Sequence, residues 1–159
     1  MLRAALIAVA LCVPMLVAAA PDVAALVDPF IGTDGTGHTM PAATRPFGMV
    51  APGPDSAVSV GDYGSGYQYR APKVLGFSNT HISGAGVPEL GDVLMQPAQG
   101  ARWSEATTDF AAAPEKKSEA ASPGYYAVTL PAHGVKVELT ATQRVAMHRY
   151  TFNTPGRVQ

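Results

Sequence analysis

The sequence has 159 residues, enough for one domain with a hydrophobic core. Its 16 Gly and 14 Pro argue against long helices, and its single cysteine leaves no internal disulfide to build. A formal net charge of −1 without a basic patch removes the electrostatic term that nucleic-acid binding relies on, so a neutral, polar partner is expected.

The chain opens with Arg3 and a short apolar run, Ala4 to Val17, that ends in small residues. This is the layout of a secretory signal peptide, with cleavage expected after Ala19. The competing reading, an uncleaved anchor, would rest on an apolar run short for a membrane span, with no second hydrophobic stretch behind it. Residues 1–19 are therefore read as a signal and 20–159 as one mature domain, secreted or periplasmic, with no membrane span after signal removal. Cleavage takes away Cys12 and Arg3, leaving ten of the eleven Lys and Arg against all twelve acids, a formal charge of −2.

Next comes "IGTDGTGHTMPAATRPFG" (31–48). Glycine loops of this density often cradle phosphate. Here, however, "GTDGTG" runs G-x-x-G-x-G, the reverse of the dinucleotide fingerprint, and Gly37 is followed by His38 and Thr39 rather than Lys and Ser or Thr. On the residues alone it is a tight turn that uses glycine for positive φ.

"FGMVAP" (47–52), "VLGFS" (74–78) and "DVLMQPA" (92–98) read as short strands between Gly/Pro-rich loops. Residues 104–122, rich in Ala, Ser and charge, read as a solvated excursion with room for a short helix. "YYAVTL" (125–130) and "VKVELTA" (135–141) alternate on either side of "PAHG", placing Tyr126, Val128, Leu130, Val135, Val137 and Leu139 inward. "QRVAMHRYTF" (143–152) adds a third strand to this antiparallel meander. Many short strands with frequent turns predict an all-β protein, an antiparallel β-sandwich. "NTPGRVQ" (153–159) starts another segment after a Pro-Gly turn, which reads as a chain truncated at its C-terminal side.

Catalytic motifs are sparse. Ser65 and Ser83 lack the glycine spacing of a nucleophile elbow, and no two of the four histidines have metal-ligand spacing. His133, in a hairpin turn, and His148, mid-strand, read as structural or surface residues. His38 and His81 sit in Gly-rich loops, from which a side chain can reach a ligand. "GDYGSGYQYR" (61–70) sets Asp62 beside three tyrosines and a serine. That composition suits a sugar, although Tyr67 and Tyr69 equally suit one face of a strand.

Four stretches taken together, "VDPFIGTDGTGHTMPAATRPFGMVAPGPD" (27–55), "SGYQY" (65–69), "LGFSNTHISGAGVPELGDVLMQP" (75–97) and "SPGYYAVTL…GVKVELTATQRVAMHRYTF" (122–152), resemble in order the N-terminal domain of glycoside hydrolase family 92, the exo-acting α-mannosidases. The resemblance implies a β-sandwich paired with a larger (α/α)-barrel domain, with mannose bound between them. It also implies inverting hydrolysis by two carboxylic groups and a calcium ion that helps distort the ring. In the family those carboxylates and calcium ligands lie in the later domain, so no catalytic residue and no metal ligand is expected in this chain. It should be inactive alone, with mannose-containing glycans and its own barrel domain as partners.

The pocket residues implied here are Gly35, His38, Asp62, Tyr63, Ser65 and His81. Departures from the family pattern are Tyr63-Gly64 where Trp-Cys is usual, and Asn79 where His is frequent; Thr80-His81 and Ser83-Gly84 are retained. The alternative is a free-standing, non-catalytic carbohydrate-binding β-sandwich.

Overall fold

Eight short strands follow one another in the computed structural model, which describes residues 21–56, 66–84, 90–100 and 104–159. They are β1 (Gly53–Ser56), β2 (Val74–Ser78), β3 (Pro97–Gln99), β4 (Ala120–Ser122), β5 (Tyr125–Leu130), β6 (Val135–Ala141), β7 (Ala146–Phe152) and β8 (Gly156–Val158). All pairings are antiparallel: β1 with β2, β3 with β8, and a meander in the order β4-β5-β6-β7. The described residues contain no α-helix, only 3-10 turns. The proposed signal lies outside the described residues.

The meander realises the alternation in the sequence. Val128 faces Val137, Tyr126 faces Leu139 and Leu130 faces Val135, so the inward side chains stack across the ladder. On the next strand Tyr150 lies opposite Val137 and Phe152 opposite Val135. Val74 and Phe77 of β2 close over this face, and Ala43 and Ala112 complete the buried cluster. The β5–β6 connection closes through Gly134, at φ 53°, whose amide donates to the Pro131 carbonyl at 3.0 Å. Glycine adopts that left-handed conformation without the Cβ clash.

Four local expectations differ. Residues 47–52 are not a strand. A turn reverses the chain at Arg45–Gly48, and the amides of Met49 and Ala51 then bond the carbonyls of Gln143 and Asn79 rather than a ladder partner. In 92–98 only Pro97 and Ala98 are in a strand, because positive φ at Val93 twists the chain out of extension; Met95 bridges Phe77 in isolation. The third meander strand starts at Ala146, since Thr142 to Val145 form the turn, with the Thr142 hydroxyl accepting from the Val145 amide at 3.0 Å. Segment 104–122 is not a solvated excursion: Ala112 bridges Val74 in the core, Ala120–Ser122 is a strand, and the Glu119 side chain is 1% exposed. The C-terminal residues pair back, β8 on β3 and Gln159 on Gln96.

Candidate functional site

The glycine loop folds upon itself. Asp28 caps the Phe30 amide at 2.9 Å, the Thr33 hydroxyl donates to the Phe30 carbonyl, and Thr39 donates from its amide to Gly32 and from its hydroxyl to Ile31. The loop is so tight that a Cβ on Gly37 would lie 2.1 Å from the Gly32 carbonyl oxygen. Gly35, at φ 58°, has open space where a side chain would stand and is exposed. His38 also lies at positive φ, 54°, and is half-buried. The two glycine roles thus separate: Gly37 is fixed by packing, and Gly35 presents bare backbone.

Two other segments dock on this loop. Gln68 Nε2 donates to the Gly35 carbonyl at 3.1 Å, and the Tyr69 amide to the Thr33 carbonyl at 2.9 Å. The Gly84 amide donates to the His38 carbonyl at 2.6 Å. The glycine loop, the segment from Gly66 and the segment leading to Gly84 therefore meet at hydrogen-bonding distance. Asp62, Tyr63 and Ser65 lie outside the described residues, with Gly66 marking where the described chain resumes.

His81 belongs to the underside of this junction. Its side chain is 2% exposed. Nδ1 lies 2.8 Å from the Ala51 carbonyl, and Nε2 lies 3.0 Å from both Asp55 Oδ1 and the Ser78 hydroxyl. The Ala51 carbonyl only accepts, so Nδ1 donates to it, while Nε2 faces both the carboxylate and the Ser78 hydroxyl. Asp55 Oδ2 accepts the Ser78 amide at 2.8 Å, tying the cluster into the β1–β2 ladder. Asp55, Ser78 and Gln68 carry no motif in a single sequence; only β1 and β2 pairing reveals them.

A second buried network anchors the segment from Gly66. Glu119 accepts from the hydroxyls of Tyr67 at 2.6 Å and Tyr126 at 2.7 Å, and from Lys116 Nζ at 2.8 Å. Burial, reinforced by the carboxylate, pushes both phenols well above the usual tyrosine range, so they serve as donors. Tyr67 is thereby a core residue and neither Tyr67 nor Tyr69 is in a strand. Tyr69 is 41% exposed, carries Lys116 Nζ 4.4 Å above its ring and meets Phe30 edge-on.

The remaining histidines are structural, as their positions suggested. His133 Nε2 donates to the Phe110 carbonyl at 2.8 Å. His148 lies between the Tyr150 hydroxyl, 2.7 Å from Nδ1, and Asn79 Oδ1, 2.9 Å from Nε2. Burial pushes its pKa below the ordinary histidine value, which suits a neutral ring accepting at Nδ1 and donating at Nε2. Among the described residues no three His, Asp or Glu side chains converge to hold a metal ion. No described helix is long and apolar enough to cross a membrane.

Comparison with known proteins bears on this arrangement. The profile of the Glycosyl hydrolase family 92 N-terminal domain matches residues 26–159. An uncharacterized secreted glycosidase of Arthroderma benhamiae is 32% identical over 139 residues, covering 82% of this chain and 17% of its own length. The structure of a family GH92 α-mannosidase from Bacteroides thetaiotaomicron, in complex with mannoimidazole, is similar with a TM-score of 0.76 and 39% identity, covering 83% of this chain and 18% of that one. A family GH92 inverting mannosidase from the same species is similar with a TM-score of 0.65 and 25% identity, over 83% of this chain and 18% of that one. The chain thus spans less than a fifth of the length of each of these relatives.

Proposed function

Because the chain belongs to glycosyl hydrolase family 92, of which it carries the N-terminal domain, we propose that it supplies sugar-facing loops to a secreted, calcium-dependent, inverting α-mannosidase acting on terminal α-mannosides of glycans. In this reading Gly35 presents backbone to the sugar and His38 a polar side chain. Asp62, Tyr63 and Ser65, carried over from the family pattern, are sugar-binding residues in the same reading, and His81 acts from beneath Gly35 and His38. Residues 1–19 are the export signal.

Glycoside inversion needs an acid on the leaving oxygen and a base that activates water, held far enough apart to admit that water. Those carboxylates and the calcium ligands belong, in this reading, to a barrel domain outside the chain. No step of hydrolysis is carried by the residues described here, whose work is to bind and orient.

The observation that carries the proposal is the meeting of three loops at Gly35, Gln68, His38 and Gly84, within a chain that matches the family over 26–159. The test is hydrolysis of an aryl α-mannoside. The 159-residue chain alone should give none, whereas the product of a reading frame extended beyond Gln159 should hydrolyse it and lose activity on calcium chelation. Hydrolysis by the short chain, or an extended product inert towards α-mannosides, contradicts the proposal.

A further inference from the structure

We infer that the buried Asp55–His81 pair is a positioning device that fixes the flanks of two site loops at once. The inference takes its functional meaning from the site proposed above, but its geometry stands independently.

Two pairs of described chain flanks, on either side of residues 57–65 and of residues 85–89, lie close to this pair. The first pair of flanks ends at Ser56 and resumes at Gly66. Its flanks are clasped by the Ser56 amide on the Gly66 carbonyl at 2.8 Å and by the Gln68 amide on the Ser56 hydroxyl at 3.0 Å. In the second, His81 and Leu90 form an isolated antiparallel bridge. It is clasped by the Gly91 amide on the Thr80 carbonyl at 2.7 Å and the Asn79 amide on the Asp92 carbonyl at 3.1 Å. Thr80 and Asp92 add a reciprocal pair of side-chain bonds at 3.0 and 3.1 Å.

Both returning flanks pass beside the same carboxylate. A Cβ on Gly66 would lie 3.4 Å from Asp55 Oδ1 and 3.4 Å from His81 Cδ2; one on Gly91 would lie 3.8 Å from Asp55 Oδ1 and from the Ser78 hydroxyl. Those distances are ordinary van der Waals contact, and positive φ at both positions is what glycine accommodates without strain. Beyond the clasps, the first flank reaches the glycine loop through Gln68 and Gly35, and the second through Gly84 and His38. Displacing the pair therefore moves both walls of the site together.

The chemistry favours a rigid part over an interchangeable one. An apolar side chain of similar size would fill the space, but it could not hold the Ala51 carbonyl and the Asp55 carboxylate in fixed directions. Removing one partner leaves the other buried without its hydrogen bond. His81 touches no solvent-facing surface, so its role is positioning rather than catalysis.

Amide hydrogen exchange on the 159-residue chain tests this directly. The amides of Ser56 and Gln68 report the first flank, those of Asn79 and Gly91 the second, and those of the β5–β6 ladder the sheet away from it. Asp55→Asn and His81→Phe should each speed exchange at both flanks by about tenfold or more, the expected scale for losing a hydrogen bond to a charged group, while leaving the ladder amides unchanged. His81→Gln keeps a donor near Nε2 and should restore much of the protection at both flanks. Exchange that rises at one flank only, at neither, or equally in the β5–β6 ladder overturns the inference. Should His81→Phe not fold, Asp55→Asn and His81→Gln carry the same comparison. If the flanks respond together but mannosides perturb neither Gly35 nor His38, the positioning device survives and the site reading falls.

Discussion

Within the glycine loop, contact and conformation set different constraints on neighbouring residues. A methyl group at Gly37 would drive into the Gly32 carbonyl, so Gly37→Ala should cost about 1–3 kcal/mol as the loop is forced apart. Gly35→Ala meets no neighbour and pays only for left-handed φ, about 1 kcal/mol. Urea unfolding of the two variants should therefore rank Gly37→Ala as the more damaging; the reverse order would show that the loop is held differently. His148 gives a pH signature. The unfolded chain takes up its proton near pH 6.5, and the folded chain, with a lowered pKa, takes it up only at more acidic pH. The stability this residue contributes is thus present above pH 6.5 and declines as pH falls below it. An NMR titration should place the His148 midpoint below 6.5, and His148→Gln should flatten the acid side of the stability curve; a midpoint above 6.5 would contradict the burial argument.

At the level of elements, the meander was legible because alternation and turn chemistry agree: Val128, Val137 and Leu139 face inward where period two put them, and Gly134 sits where the turn needs left-handed φ. Val137→Ala removes two methyl groups from the centre of that face and should cost about 2 kcal/mol in chemical unfolding, while Thr151→Ala on the exposed face should cost little. Equal effects would mean the sheet is not packed on that side. The first half was less readable for a physical reason. Residues 47–52 are apolar enough for a strand, yet their amides are claimed by loop carbonyls at 143 and 79, partners that no local pattern reveals. Glu119 is the sharpest case: a carboxylate in an Ala-, Ser- and Lys-rich run looks solvated, and only Tyr67 and Tyr126, distant or out of register in sequence, make its burial affordable. The loop context of His81 suggests a ligand-facing side chain, yet that side chain is 2% exposed, and its partners Asp55 and Ser78 become visible only when β1 lies beside β2.

For the molecule as a whole, an all-β sandwich gathers three loops at one place, and the family relationship gives that place a meaning. On the proposed function, a domain that spans less than a fifth of its relatives would contribute only part of a pocket, so its own affinity for sugar should be weak, on the order of millimolar, with ordering costs offsetting few contacts. The central claim is that these loops face mannose. An NMR titration of the chain with methyl α-mannoside and with mannoimidazole, against methyl α-galactoside as control, tests it most directly. The account predicts mannose-selective shifts at the amides of Gly35, His38, Gly66 and Gly84 with the β5–β7 meander unmoved; shifts confined to the meander, equal response to the galactoside, or no response at tens of millimolar ligand would contradict it.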